Sequence, residues 1–202
     1  MKNSIPLPAA AIVLAGGESS RMAAPKAFME VGGTTIIGRE IEVLKPLFAE
    51  VIVSANDPGP FARFGCRVVP DDARFREMKG PLVGVYSGLT AANHDIGFAV
   101  ACDMPFINPG LVVWMAGLIE GFDLVIPRVG GYAEPLFGFY KKTCLRAMED
   151  ALSRGERRMQ GIFGGLKVRY VEERELAPFD PGFRSFININ TPEDLATAES
   201  LL

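Results

Sequence analysis

A chain of 202 residues with 49% hydrophobic side chains can fill the core of one large α/β domain. Its net charge of −3, with acidic and basic residues interspersed, argues against a nucleic-acid partner held by a general basic field. No apolar run reaches the ~18 residues of a membrane span. Met1–Pro8 is too short and too broken by proline for a signal peptide, and the widely spaced Cys66, Cys102 and Cys144 are expected to be reduced thiols of a cytoplasmic protein.

Ala9 to Leu14 is apolar throughout and predicts a buried strand that runs into the turn Ala15-Gly16-Gly17. A loop of small residues follows, with two cations, Arg21 and Lys26. Glycines let backbone N–H groups approach an anion, and Arg21 and Lys26 would supply the charge that a di- or triphosphate requires. A plain tight βα turn accounts for the same glycines. The P-loop pattern does not fit, because Lys26 lies between Pro25 and Ala27. The dinucleotide fingerprint lacks its third glycine, which leaves a dinucleotide-dependent oxidoreductase without support.

Further along, Thr35 to Phe48 carries Ile36, Ile37, Ile41, Leu44, Leu47 and Phe48 at helical spacing. Glu50 to Ser54 is a short buried strand ending in the turn Ala55–Gly59, and Arg67 to Val69 is a third strand before the polar loop Pro70-Asp71-Asp72. Gly80 to Ala92 reads as a loop entering a helix, Ile96 to Cys102 as a central strand, Asn108 to Ile119 as a helix and Phe122 to Pro127 as a strand. Ala133 to Tyr140 resembles an extended segment. Helical stretches at Lys142–Ser153 and Arg157–Phe163 precede the strand Lys167–Val171. Thr191 can cap a last helix, with Pro192 at its first position and Glu193 and Asp194 complementing its dipole. Repeated βα units predict a mostly parallel central sheet between helices, in one domain without a linker.

In such sheets ligands bind beyond the carboxyl ends of the strands. Gly16-Gly17, Asn56, Asp71 and Asp103 each follow a predicted strand, so one crevice could gather them. Asp103 ends a strand that should otherwise be buried, where a carboxylate is costly unless it is paired or binds a cation. Magnesium on a nucleotide takes one or two such carboxylates. Helix capping or an ion pair would explain Asp103 equally. Gly80-Pro81-Leu82 reads as a helix start or as a backbone surface for a base or ribose. Asp71 reads as a turn residue or an acceptor for a purine. Asn188 and Asn190 share parity on a predicted strand and would face one way. His94, the sole histidine, lies in a polar turn and offers no Ser-His-Asp or Cys-His chemistry.

Taken in order, Leu14-Ala15-Gly16-Gly17, Arg21-Met22, Lys26, Gly80-Pro81-Leu82-Val83-Gly84, Asp103-Met104-Pro105-Phe106, Glu134-Pro135-Leu136, Gly155-Glu156-Arg157-Arg158 and Asn188 to Leu195 resemble the molybdenum cofactor guanylyltransferases, the MobA family. The resemblance spans almost the whole chain. It implies a three-layer α/β/α, Rossmann-like nucleotidyltransferase fold that uses GTP and Mg²⁺. The terminal phosphate of molybdopterin would attack the α-phosphate of GTP and release pyrophosphate. Carried over by motif, Leu14, Ala15, Gly16 and Gly17 line the GTP site with Gly80, Pro81 and Leu82. Arg21 and Lys26 hold phosphates, Asp103 coordinates Mg²⁺, and Asp71 and Asn56 contact the nucleotide. Glu134, Arg158, Asn188 and Asn190 fall in the half that faces molybdopterin. Ala23 and Pro25 depart from the family pattern, and Pro25-Lys26-Ala27-Phe28 resembles the form in related nucleotidyltransferases, including cytidylyltransferases, whereas Gly17 and Gly80-Pro81-Leu82 favour guanine. A cytidylyl or sugar-nucleotide transferase and a non-catalytic nucleotide or pterin carrier are the alternatives. The implied macromolecular partners are proteins that deliver molybdopterin and molybdoenzyme apoproteins, with the chain itself a monomer or weak oligomer.

Overall fold

The computed structural model describes residues 5–16 and 26–202. The strands are β1 (Leu7–Leu14), β2 (Glu30–Val31), β3 (Thr34–Thr35), β4 (Phe48–Ser54), β5 (Arg67–Val69), β6 (Ile96–Ala101), β7 (Leu124–Val129), β8 (Tyr132–Ala133), β9 (Phe137–Lys141) and β10 (Val168–Val171). The α-helices are α1 (Ile36–Leu44), α2 (Pro81–Ala91), α3 (Pro109–Ala116), α4 (Leu145–Ser153), α5 (Glu173–Leu176) and α6 (Pro192–Ser200). An eight-stranded sheet runs β10-β7-β9-β6-β1-β4-β5, with β8 paired to β7, while β2 and β3 form a separate hairpin.

β1 is the axis of the sheet. It pairs in parallel with β4 on one side and β6 on the other, and its continuous apolar side chains are buried between helices on both faces. Ala11 and Val13 join one core with Ile37, Ile41 and Leu44 of α1 and Leu111, Val112 and Met115 of α3. Ile12 faces the opposite core, with Leu82, Val85 and Leu89 of α2 and Met148 and Leu152 of α4. The alternation of side chains along β1 thus produces the three-layer α/β/α arrangement, with a mostly parallel sheet.

Four residues stand level across the carboxyl end of this sheet. Leu14 is the register partner of Ser54 and of Ala101, and Ser54 is the partner of Val69. On the far side of β6, β9 runs antiparallel to both β6 and β7, with Val100 opposite Phe137. That reversal makes β9 start at the same rim, where Ala101 N–H donates to Leu136 O at 3.1 Å.

Three expected elements differ in detail. The helix anticipated over Thr35–Phe48 ends at Leu44, and Phe48 opens β4 instead. Pro46 has no N–H to continue the ladder, and its ring would clash with the carbonyl four residues earlier. Met159–Gly165 forms 3₁₀ turns in place of an α-helix, in a stretch containing Gly161, Gly164 and Gly165. Asn188 and Asn190 lie on no strand. Their segment is unpaired, and it docks by burying Ile189 with Val31, Ile36 and Ala198.

α2 lies unusually close to β1. A Cβ on Gly88 would sit 2.5 Å from Ile12 Cγ2, and one on Gly84 would sit 2.9 Å from Leu14 Cδ2. Gly88→Ala is expected to lower stability. Overpacking typically costs about 1–3 kcal/mol, against about 1 kcal/mol gained in helix propensity. Equilibrium denaturation should show a net loss, and a variant as stable as the parent would contradict this close approach.

Candidate active site

The level rim sets the positions of four polar candidates by simple counting. Gly16, Asn56, Asp71 and Asp103 each lie two residues beyond Leu14, Ser54, Val69 and Ala101, the four register partners. Cys102 N–H donates to Leu14 O at 3.2 Å, and Ala15 N–H to Ser54 O at 3.0 Å, so the first residues past the strands remain tied to their neighbours. Asn56 and Asp71 meet across the adjacent ends of β4 and β5. Asn56 Nδ2 donates to Asp71 Oδ2 at 2.7 Å, and Asp71 N–H donates to Asn56 Oδ1 at 3.0 Å. Both ends of the Asn56 amide are thereby oriented.

Asp103 is the electrostatic centre. Its side chain is 20% exposed, with Oδ2 4.0 Å from Lys26 Nζ. Oδ1 is buried without a hydrogen-bond partner among the described residues. Burial pushes the carboxyl above its ordinary pKa, opposed by the Lys26 charge and a backbone hydrogen bond. Lys26 enters from the 3₁₀ turn Lys26–Phe28. That turn is anchored by buried Ala27 and by Phe28, whose ring lies 5.3 Å from Phe61 and beneath the Arg63 guanidinium. Lys26 Nζ also donates to Asn190 Oδ1 at 2.5 Å. Asn190 is fixed in turn, since its N–H donates to Asp194 Oδ2 at 2.8 Å, within the capping box that starts α6. The Asn190 N–H is the main cause holding Asp194 below the usual carboxylate range.

On the other side of Asp103 opens a cleft of about 350 Å³, lined among others by Pro81, Glu134, Arg158, Gln160 and Asn188. Glu134 reaches it because β9 is antiparallel, and burial raises its pKa. Arg158 is exposed, with its Nε 3.6 Å from Glu156 Oε1. Gly80 has φ 141°, and a Cβ there would meet Arg157 O at 2.8 Å, a close approach that only glycine permits. Leu82 is fully buried in the core, and its N–H donates to Arg157 O at 3.3 Å. Leu14 and Ala15 are half-buried and Gly16 is exposed. Gly17, Arg21, Ala23 and Pro25 lie outside the described residues.

Asp103 therefore stands between two sets of residues: Leu14, Gly16, Asn56 and Asp71 along the rim, and the cleft with Glu134, Arg158 and Asn188. Asn190, expected to pair with Asn188, turns to Lys26 instead. Sequence reasoning missed Gln160 in the cleft and the buried Glu40, whose Oε1 accepts the Met104 N–H at 3.1 Å. Glu40 did leave a signal. It interrupts the apolar stripe of α1, four residues from both Ile36 and Leu44.

Residues 11–170 match the family model of the MobA-like NTP transferase domain. The chain belongs to that family. A relative from Pelotomaculum thermopropionicum, named "Probable molybdenum cofactor guanylyltransferase", is 41% identical over 192 residues, 95% of this chain and 92% of that one. A Desulfosudis oleivorans protein named molybdenum cofactor guanylyltransferase is 35% identical, covering 95% of this chain and 94% of the other. Among solved structures, molybdopterin-guanine dinucleotide biosynthesis protein A from Archaeoglobus fulgidus superimposes with a TM-score of 0.83 at 27% identity, over 95% of this chain and 97% of that one. The MobA-like family places this chain among nucleotidyltransferase enzymes of molybdenum cofactor biosynthesis. Among the described residues no helix is long and apolar enough to cross a membrane.

A MobA-like site built around a strained carboxylate should be detectable in stability. The folded-state pKa of Asp103 is raised, so ionisation opposes folding as pH rises from the ordinary carboxylate value through the folded one. Asp103→Asn is expected to raise the melting temperature at pH 7. The gain should shrink as the pH falls through that window, where the parent carboxyl becomes neutral. A variant less stable than the parent at pH 7 would show that the ionised carboxylate supports the fold.

Proposed function

We propose that this chain transfers GMP from GTP to the terminal phosphate of molybdopterin and releases pyrophosphate. The observation that carries this is the Asp103–Lys26 pair, a part-buried carboxylate beside an ammonium group, with one oxygen that has no hydrogen-bond partner among the described residues. It stands where the nucleotide rim meets the cleft. The activity itself follows the relatives, which carry the name molybdenum cofactor guanylyltransferase.

The donor set of the site fits Mg²⁺: a hard carboxylate oxygen on Asp103, with phosphate oxygens and water to complete the shell. Bound there, the ion would offset charge on the phosphate oxygens. Lys26 and Arg21 add positive charge against the triphosphate. The Lys26 amine is held within reach by Asn190. Leu14, Ala15, Gly16, Gly17, Asn56, Asp71 and Gly80 receive the nucleotide, while Pro81 lines the cleft beside them and Leu82 fixes the loop from within the core. Glu134, Arg158 and Asn188 receive molybdopterin in the cleft, with Asn190 tethering Lys26. A phosphate oxygen of molybdopterin bonds to the α-phosphorus as the bond to the β-phosphate oxygen breaks, and the electron pair leaves with pyrophosphate. No protein nucleophile is needed; the residues align and neutralise. One domain serves both substrates, its N-terminal half for GTP and its C-terminal part for the pterin. The cytoplasm, where molybdopterin-delivering proteins and molybdoenzyme apoproteins would be met, suits the free thiols of Cys66, Cys102 and Cys144.

Pyrophosphate release with Mg²⁺ and molybdopterin, run separately with GTP, CTP and ATP, tests the reading. GTP should support turnover, and Asp103→Ala should lower it by about 100-fold or more. Equal turnover with CTP would overturn the guanine assignment, and parental turnover in Asp103→Ala would remove Asp103 from the chemistry.

Gly16 supplies a second test. Among the described residues a Cβ there would meet no atom closer than 3.6 Å, an ordinary contact, so their packing does not require glycine. Gly16→Ala should keep its stability within about 0.5 kcal/mol of the parent, yet lose much of the rise in melting temperature that GTP produces. An undiminished rise would exclude Gly16 from the nucleotide site.

A further inference from the structure

α1 buries Ile36, Ile37, Ile41 and Leu44, and Glu40 stands within that stripe, 1% exposed. An apolar side chain would pack there at lower cost, so the carboxyl is retained against its own desolvation. It makes one hydrogen bond. Oε1 accepts the Met104 N–H at 3.1 Å, while Oε2 has no partner among the described residues. That bond links α1 to the turn that carries Asp103.

The same turn is tied at two other points. Cys102 N–H donates to Leu14 O at 3.2 Å, and Asp103 O accepts the Ile189 N–H at 2.9 Å. The backbone of residues 102–104 is thus pinned by hydrogen bonds to β1, to the segment before α6 and to the Glu40 carboxylate. Of these three, only the Glu40 bond depends on a side chain.

We propose that Glu40 is a positioning residue for Asp103, which aims the carboxylate at a divalent cation by accepting the Met104 N–H. The inference rests on the reading of Asp103 as the metal-binding residue. Groups that orient a metal ligand without touching the metal typically change its affinity by about 10–100-fold when removed.

The probe is Mn²⁺ in the presence of GTP, with free Mn²⁺ followed by electron paramagnetic resonance, alongside the metal dependence of turnover. Glu40→Gln keeps a carbonyl oxygen for Met104 and should bind Mn²⁺ within about twofold of the parent. Glu40→Met removes the acceptor and should bind about tenfold more weakly. It should still melt cooperatively and retain most of kcat at saturating metal. Parental Mn²⁺ affinity in Glu40→Met, or a Glu40→Gln variant as weak as Glu40→Met, would overturn the proposal. Should Glu40→Met not fold, Glu40→Asp withdraws the acceptor by one methylene and carries the same expectation. Parental protein and Asp103→Ala form a separate arm. If they bind Mn²⁺ alike, the metal assignment of Asp103 fails and the role of Glu40 falls with it; if they differ, the Glu40 variants decide alone.

Discussion

The site depends on register. Four parallel strands end level, with Ala101, Leu14, Ser54 and Val69 in one row across β6, β1, β4 and β5. Two residues beyond that row, each strand is followed by a candidate group: a carboxylate, a glycine, an amide and a second carboxylate. A slip of one residue would turn every side chain of a strand to the other face and exchange its two cores. Because β1 is buried on both faces by different helix sets, such a slip would be strongly opposed. The hydrophobic effect that selects the register therefore also fixes the geometry of the polar rim, with no polar interaction having to specify it.

What the register brings together is not comfortable. Asp103 is held in a part-buried place where ionisation is disfavoured, and one of its oxygens has no partner among the described residues. Glu40 is buried outright, and the Asp103 charge adds to the burial that makes its ionisation unfavourable. Lys26 compensates only partly at 4.0 Å, because Asn190 also holds its amine. A fold selected for stability alone would replace both carboxylates with apolar groups or pair them fully. Unmet electrostatic demand of this kind is what a ligand-binding centre requires, since a ligand that supplies positive charge gains what the protein forgoes.

The strands and helix caps were legible in the sequence because local chemistry decides them. Leu7–Leu14 needs only its apolar run, and Thr191 with Asp194 forms the capping box that the Thr-Pro-Glu-Asp order implies. The resemblance of the ordered motifs likewise led to the family. Less was legible where tertiary pairing decides. Nothing local to Phe137–Lys141 says that β9 runs antiparallel, yet that reversal delivers Glu134 to the cleft. Asn188 and Asn190 were expected to act as one face of a strand. Without a partner strand their segment is set by the burial of Ile189, and Asn190 is recruited by Lys26. Pro46 was a local signal that outweighed the helical spacing around it. Glu40 was visible as a charge within an apolar stripe, but its purpose lies 64 residues away at Met104.

In the proposed reading Asp103 is shared by two half-sites, which the chain builds by different means. The nucleotide rim comes from adjacent parallel βα turns, whose positions follow from sheet register. The cleft draws on the start of α2, the segment before β9, the 3₁₀ turns after Arg158 and the segment before α6, four stretches distant in sequence. In-line transfer needs the attacking and leaving oxygens on opposite sides of the reacting phosphorus. A carboxylate between the two half-sites meets that requirement in one step, since either substrate can be aligned against the same fixed point. Hydrogen bonds converge on the backbone of residues 102–104 from β1, from the Glu40 side chain of α1 and from Ile189. The turn that carries Asp103 is tied to elements on either side of it.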